Sequence, residues 1–425
     1  MQLTPCNSNQ KVVSNLKPEE TGDEVPEINF FDLIPEELVL LLAQYLDARA
    51  IGNLRLVCRK FNVIGSDASL IPTLFKTRFP ILAGFYSREE LNEEHYKKAI
   101  LRTDNIRDTA FTPRQTVLRE GYDFQGHISA LVCRDNLLYG SCYKDGGVTV
   151  WDLEGNEKGH FFQFNPIPHH IGLSNNYIFG HSNATPSQTA DYTGLQRISL
   201  LDQAYTFWNY PKANFWRFKV FDESIYAESS KGILEIDVES GLFNEYISVF
   251  PTEPFFADQY QVLGIGGFYI TSWDRETLKE KESLPLIGHL PDRNLHLDIP
   301  TYHPETNLVF LARDYTSFAS YDLRQKSIAY KKDIHGISIS GIIFFNNQVV
   351  TSALDGCLKI WDHRKFSTQT PLRSLQLSFG ITAISSNEDF LFIGTQYGDI
   401  IKCDFIKEGS LTSLMWDAFE KCLVS

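Results

Sequence analysis

Two stretches of this chain nearly superimpose: YGSCYKDGGVTVWD, ending at Trp151-Asp152, and VTSALDGCLKIWD, ending at Trp361-Asp362. Weaker echoes lie between and after them, in ISLLD ending at Asp202, YAESSKGILEID ending at Asp237, GIGGFYITSWD ending at Asp274, SFASYDL with Asp322, and YGDIIKCD ending at Asp404. The seven aspartates are 50, 35, 37, 48, 40 and 42 residues apart, which is the length of a four-stranded unit. From Arg114 onward short alternating segments are separated by Gly, Asn, Asp and Ser turns, so each unit reads as strands. A single such unit cannot bury both of its faces, and stacking seven of them around an axis is the arrangement that does.

Each unit reads as an inner strand, two middle strands and an outer strand after the aspartate. QTVLRE, before Gly126-His127, has no unit of its own and is expected to complete the seventh as its outer strand, leaving few free edges. The 31 Phe and 19 Tyr suit this β-rich reading.

The first 113 residues are different. Residues 1 to 27 are polar, with Pro18, Pro26 and an acidic cluster at 19 to 24, and are read as a disordered lead. In LIPEELVLLLAQYLDARAIGNLRLVCRKF, Asp32 and Pro35 open a helix whose apolar face is Leu38, Leu41, Leu42, Tyr45 and Leu46. Asp47 caps a second, with Ile51, Leu54, Val57, Cys58 and Phe61 on one side. Ile71, Leu74 and Phe75 add a third short piece. A unit this small buries little by itself, so its leucine excess points to an external partner. The run SREELNEEHYKKAILRTDNIRD then reads as a capped helix and a semi-rigid spacer.

Charge and cysteine usage narrow the function. The net formal charge is −14; residues 1 to 113 carry 13 basic against 16 acidic groups, leaving 26 of the 39 basic and 37 of the 53 acidic groups to the strand-rich part. That field repels phosphate backbones, and nucleic acid is not expected as a partner. Seven scattered cysteines without a C-x-x-C pattern read as reduced thiols of a cytosol-like compartment. No signal peptide opens the chain, and the apolar stretch near Leu38 is too short to span a bilayer, so no membrane association is expected.

Gly126-His127, Ser141, Asp145 and Trp151-Asp152 resemble the WD-repeat pattern, and residues 30 to 79 resemble an F-box through their apolar-Pro-x-Glu-Leu opening, Tyr-Leu-Asp junction and L-x-x-V-C-R-x-F second helix. KKAILRTDNIRD is similar to the helical linker of F-box/WD-repeat proteins. The resemblance implies an α+β multidomain chain: a disordered segment at 1–27, a three-helix F-box at 28–79, a helical linker at 80–113 and an all-β seven-bladed WD-repeat propeller at 114–425. It implies buried hydrogen-bond networks of His127, Ser141, Asp145 and Trp151, and of His335, Thr351, Asp355 and Trp361. Blades two, three, five and seven would place Leu201, Ile236, Tyr321 and Cys403 where the family has Trp, and are expected to rely on apolar packing with weaker polar networks.

The same resemblance implies a non-catalytic adaptor of a Skp–cullin–F-box ubiquitin ligase. It would bind a Skp-type subunit, and through it a cullin–RING ligase, with Ile34, Pro35, Leu38, Leu42, Tyr45, Leu46, Val57 and Cys58. It would hold a protein client on the propeller face that carries the Gly-His turns, where Trp216, Arg217, Phe255, Phe256, Arg313 and Tyr315 are candidate contacts or, alternatively, packing between blades. The expected compartment is the cytoplasm or nucleus, or a host cytosol for a secreted effector. The competing reading is a WD-repeat scaffold without a ligase role, including a microbial effector that imitates a host F-box protein.

No catalytic residues, cofactor or metal are expected. His127 and His335 hold network positions, and His169-His170, His289, His296 and His303 have no carboxylate or cysteine at ligand spacing. GIGGF at Gly264 to Phe268 lacks a following helix and lysine, and reads as a turn rather than a nucleotide loop. No Ser-His-Asp or Cys-His set stands out.

Overall fold

The computed structural model describes the chain from Glu93 to Ile406 apart from residues 109–110, 122–125, 143–146, 162–167, 169, 182–193, 210–212, 222, 230, 249–251, 267–268, 287–296, 305, 314–315 and 364–369. The expected lead, the three F-box helices and the eight adaptor contacts at Ile34, Pro35, Leu38, Leu42, Tyr45, Leu46, Val57 and Cys58 lie outside the described residues, as do Asp145 and Tyr315.

Helix α1 (Glu93–Arg107) comes first, followed by strand β1 (Arg114–Arg119). Blade one is β2 (Ile128–Arg134), β3 (Leu137–Cys142), β4 (Gly147–Asp152) and β5 (Glu157–Phe161); blade two is β6 (His170–Leu173), β7 (Tyr177–His181), β8 (Gly194–Ser199) and β9 (Tyr205–Asn209). Blade three is β10 (Ala213–Phe221), β11 (Ser224–Ser229), β12 (Gly232–Asp237) and β13 (Phe243–Ile247). Blade four is β14 (Glu253–Ala257), β15 (Gln261–Gly266), β16 (Tyr269–Asp274) and β17 (Glu280–Pro285). Blade five is β18 (Leu297–His303), β19 (Leu308–Arg313), β20 (Ser317–Asp322) and β21 (Ser327–Asp333). Blade six is β22 (Ile339–Phe345), β23 (Gln348–Ala353), β24 (Cys357–Trp361) and β25 (Arg373–Gln376), and β26 (Ile381–Ser386), β27 (Phe390–Thr395) and β28 (Ile400–Asp404) begin blade seven.

Each blade is a four-stranded antiparallel meander, and the seventh sheet has the order β1-β28-β27-β26. Arg114 pairs with Asp404, Gln115 with Cys403 and Thr116 with Lys402, so the segment QTVLRE closes the ring as the sequence predicts. Closure removes two edges that would otherwise be open.

The physical use of the repeated aspartate is visible at the end of the third strands of blades one, three and five. Asp152 Oδ1 accepts the amides of Glu154 and Asn156, Asp237 Oδ1 those of Glu239 and Ser240, and Asp322 Oδ1 those of Arg324 and Gln325. These Asx turns steer the chain into the outer strand. Amide donors keep the carboxylates ionised: the Thr277 amide is the chief reason that Asp274 is lowered to about 2.

Blade two departs from the expected register. The first residue of β7, Tyr177, pairs with Ser199, as Leu137 pairs with Asp152 and Ser224 with Asp237. Ser199, whose hydroxyl oxygen accepts the Leu201 and Asp202 amides, therefore stands in the aspartate's place. The residue in the tryptophan position is the buried Ile198, not Leu201, which is 86% exposed in the turn. The others fall as the pattern implies: Ile236, Tyr321 and Cys403 are buried.

Alternation along the strands builds one apolar cluster between every pair of neighbouring blades. Val148, Val150 and Phe161 of blade one meet Ile171, Leu173 and Ile178 of blade two, and the series continues around the ring until Ala383, Phe392 and Ile400 of blade seven meet Ile128, Leu131 and Trp151. Burial at about 25 cal/mol per Å² of apolar surface makes these seven interfaces the main source of stability. Among the described residues no helix is long and apolar enough to cross a membrane.

The helix is not a free spacer. Ile106 is fully buried in the cluster between blades six and seven. Arg102 donates to the Glu388 carbonyl at 2.5 Å and pairs with Asp389, Asn105 Nδ2 donates to the Phe405 carbonyl at 2.7 Å, and Asn346 Nδ2 donates to Thr103 Oγ1 at 2.9 Å. All of these partners lie at turns after the first strand, or at the end of the third, in blades six and seven. The helix is thus docked on one end of the propeller, opposite the end that carries the entry turns.

Candidate binding face

In a meander closed this way, the turns entering each first strand and the turns between second and third strands lie at the same end. That end collects the Gly126-His127 and His335-Gly336 turns, the last residue of β7 at His181 and the last residue of β19 at Arg313. The six candidate client contacts distribute differently. Trp216 and Arg217 belong to inner strand β10 rather than a loop, and Arg313 ends β19; the side chains of all three lie outside the described residues. Phe255, 5% exposed, is part of the cluster between blades four and five, and Phe256 packs between Tyr302 at 4.7 Å and Phe221 at 6.2 Å. These two phenylalanines hold blades together, because an alternating aromatic run fits a pleated strand better than a loop.

Among the described residues, this face exposes large apolar side chains on blades six and seven. Ile337 is 50% exposed, Leu354 41% and Phe379 42%, and the Phe379 ring lies 4.4 Å from that of Tyr397. Backbone bonds knit these turns together: Leu354 N donates to Ser338 O at 3.0 Å and Gln396 N to Gly380 O at 2.9 Å. Gly356, at φ +76°, allows the turn to tuck in, since an added Cβ would lie 2.7 Å from the Phe379 carbonyl.

Beneath the turn runs a hydrogen-bond chain. Trp361 Nε1–H donates to Thr351 Oγ1 at 3.0 Å; Thr351 Oγ1 lies 3.0 Å from His335 Nε2, and His335 Nδ1 lies 3.4 Å from Asp355 Oδ2. Every donor finds an acceptor if the histidine proton is on Nδ1, leaving Nε2 to accept from the threonine hydroxyl. Asp355 also takes the amides of Gly336 at 3.2 Å and Cys357 at 2.8 Å. Burial lowers the His335 pKa, outweighing the attraction of Asp355, so the ring is neutral at pH 7. Cys357, beside them, is raised by burial. His335, Asp355 and Cys357 come within 4.8 Å of one another, but the ring nitrogens and carboxylate oxygens of the first two are already committed, which makes this a structural support for the Leu354 turn.

Blade one does not repeat the chain. Trp151 pairs with Leu138 as Trp361 pairs with Val349, which puts Gly140, not Ser141, in the position of Thr351. Ser141 corresponds to Ser352 instead: its hydroxyl donates to Pro168 O at 2.7 Å and accepts from Ser129, as Ser352 meets Ser340 at 2.9 Å. Of the expected network of His127, Ser141, Asp145 and Trp151, the place of Ser141 is therefore corrected, while Asp145 lies outside the described residues. The β3–β4 connection has one residue more than β23–β24, and counting back from the Asp-Gly pair shifts the register by one, which turns a side chain to the other face.

Blade three, expected to be weakly polar, holds a buried charge instead. Glu235 accepts from Tyr226 at 2.8 Å, from Ser224 at 3.1 Å and from Tyr246, and pairs with Arg275 of blade four at 2.8 Å. Burial alone would raise its pKa; the tyrosine and arginine donors outweigh it and lower the value. No single-residue motif marks such a site, since Glu235 lies on a strand and Arg275 forty residues on.

Comparison with known proteins bears on the part ahead of the propeller. An F-box-like family model matches residues 31–77. With a seven-bladed propeller following it, the chain matches an F-box/WD-repeat protein. No curated protein matches the chain.

Proposed function

We propose that this chain is the substrate-recognition adaptor of a Skp–cullin–F-box ubiquitin ligase. The observation that carries the reading is the order of parts: an F-box-like segment at 31–77, a helix docked on one end of a propeller, and an exposed apolar surface on the opposite end. F-box domains generally bind Skp-type adaptors, and proteins with them are typically non-catalytic. Ile34, Pro35, Leu38, Leu42, Tyr45, Leu46, Val57 and Cys58 are the contacts proposed for the Skp-type subunit.

On the propeller the client surface is Ile337, Leu354, Phe379 and Tyr397 rather than Phe255 and Phe256. Trp216, Arg217, Arg313 and Tyr315 stay as proposed client contacts. The chain itself supplies proximity and the other subunits supply the transfer chemistry. A reducing compartment, cytosol or nucleus, fits the free thiols of Cys133, Cys142, Cys357 and Cys403. The test is co-purification with a Skp-type adaptor: Leu38→Asp or Leu42→Asp abolishes it while the propeller still melts cooperatively. Binding that survives both substitutions leaves a propeller scaffold without a ligase role as the correct reading.

A further inference from the structure

The turns that carry Ile337, Leu354, Phe379 and Tyr397 also carry charge. Asp355 follows Leu354, and its carboxylate accepts the Gly336 amide at 3.2 Å, which sets it against the residue before Ile337. Asp399, two residues after Tyr397, accepts the Gly121 amide at 2.8 Å and the Thr395 hydroxyl at 3.0 Å. Glu120 is exposed and precedes Gly121, where an added Cβ would overlap the Tyr397 carbonyl, so the chain leaving β1 rests directly on the Tyr397 turn. Amide and hydroxyl donors satisfy the oxygens of Asp355 and Asp399 without removing their charge; hydrogen bonds of this kind favour the ionised form.

The described cations beside these turns are Arg119 and Lys359, and each is turned onto a main-chain carbonyl, of Gly398 at 2.9 Å and of Ile334. Glu120, Asp355 and Asp399 outnumber them, and the strand-rich part around them is acidic overall. A phosphate group entering here meets like charge. A Lys or Arg gains twice, from the carboxylates and from the aromatic faces of Phe379 and Tyr397, whose rings lie 4.4 Å apart. Exposed Ile337, Leu354 and Phe379 call for an apolar side chain next to that cation. A second copy of the chain is a poor occupant, because at a net charge of −14 it brings the same field to the contact.

We infer, resting on the reading of this surface as the client surface, that it takes an unphosphorylated segment of another protein in which a large apolar residue neighbours a Lys or Arg. The apolar residue packs on Ile337, Leu354 and Phe379, and the basic residue is directed at Glu120 and the Phe379–Tyr397 pair. Apolar contact holds the segment, and charge selects it over acidic or phosphorylated competitors.

The test pans the full chain against a phage-displayed library of random twelve-residue peptides, then measures one enriched peptide as a fluorescein conjugate by anisotropy. Enriched sequences place a Lys or Arg beside a large apolar residue, and phosphoserine in place of the basic residue abolishes binding. Phe379→Ala weakens the peptide at least about tenfold and Glu120→Lys at least about threefold, in variants whose melting temperature stays in place. Enriched acidic peptides, or a phosphoserine peptide that binds more tightly and is still weakened by Phe379→Ala, overturn the inference and leave the client surface where it is. An enriched peptide indifferent to Phe379→Ala overturns the client surface as well. Panning that enriches no pattern overturns the inference, and so does a chain that sediments as a dimer and becomes monomeric in Phe379→Ala, which would make a second copy the occupant.

Discussion

Replacing Thr351 by Val tests whether the hydrogen-bond chain of blade six is a unit. Thr351 is fully buried, and its hydroxyl is the middle link: it accepts from Trp361 at 3.0 Å and meets His335 Nε2 at 3.0 Å. Valine fills nearly the same volume, so the loss is polar rather than a cavity. Two buried groups lose their partner, at about 1–3 kcal/mol each, which gives about 3 kcal/mol in all. Thr351→Ser keeps the hydroxyl and removes a methyl group, costing about 1 kcal/mol. Hydrogen exchange of the full chain is the suitable assay, because it reads β23 and β24 locally: a loss of 3 kcal/mol lowers protection roughly a hundredfold. Adding Trp361→Phe to Thr351→Val removes the stranded indole N–H, so the double variant is less damaged than the sum of the two singles. Equal effects of Val and Ser at position 351, or additivity in the cycle, would refute the argument.

Acid should act through His303, which is fully buried, stacks on His363 at 4.9 Å and uses Nδ1 to accept the Thr306 amide, leaving Nε2 without a hydrogen-bond partner. Burial, and then His363, lower its pKa to about 4 from 6.5, so its contribution of about 3 kcal/mol is fully present above pH 6.5 and is lost as the pH falls toward 4. Urea midpoints between pH 7 and 4 should fall less steeply in His303→Phe than in the wild type; parallel profiles would rule this out. Arg102→Met should loosen α1, because the side chain is 3% exposed and its partners Glu388 and Asp389 belong to the β26–β27 turn. With Asp389 partly in solvent the cost is about 2 kcal/mol, read as faster exchange of α1 amides with those of blade three unchanged.

The ring is legible in the sequence because most blades end their third strand with a turn capped by a side-chain oxygen, and aspartate is a strong short acceptor for it. Its closure is legible too, since QTVLRE has strand character and no partner of its own. Where reading from residues slips, two chemistries are interchangeable. Ser199 caps as well as Asp202 does, so the aspartate pattern sets blade two three residues late. The extra residue between β3 and β4 moves Ser141 into the place that Gly140 occupies. The site is harder to see. Exposed Ile337, Leu354 and Phe379 look like any apolar residues near turns, and only packing shows that Phe255 is buried while Phe379 is not. Glu235 and Arg275 meet across an interface between blades, which no local pattern encodes.

The place where the chain enters the propeller explains why the linker is a helix and not a flexible tether. Blade seven is made from both parts of the chain: β1 pairs with β28, which ends on Asp404, and α1 bonds the backbone just beyond that strand. Asn105 Nδ2 binds the Phe405 carbonyl, and Arg373 of blade six donates to the carbonyls of Asn105 at 2.7 Å and Asp108 at 3.1 Å while its guanidinium covers the Phe111 ring at 5.6 Å. Phe111 in turn is buried with Ile106 in the cluster between blades six and seven. Helix, connector and closing strand therefore share one core with the seam of the ring. A force applied to α1 reaches the β1–β28 ladder through the short connector from Asp108 to Pro113, which contains a buried anchor at Phe111. Loosening the helix must then also loosen the seam, and a seam held at two levels, by main-chain pairing and by side-chain packing, opens only when both give way together. That coupling of helix, connector and seam is something a Gly/Ser tether could not supply.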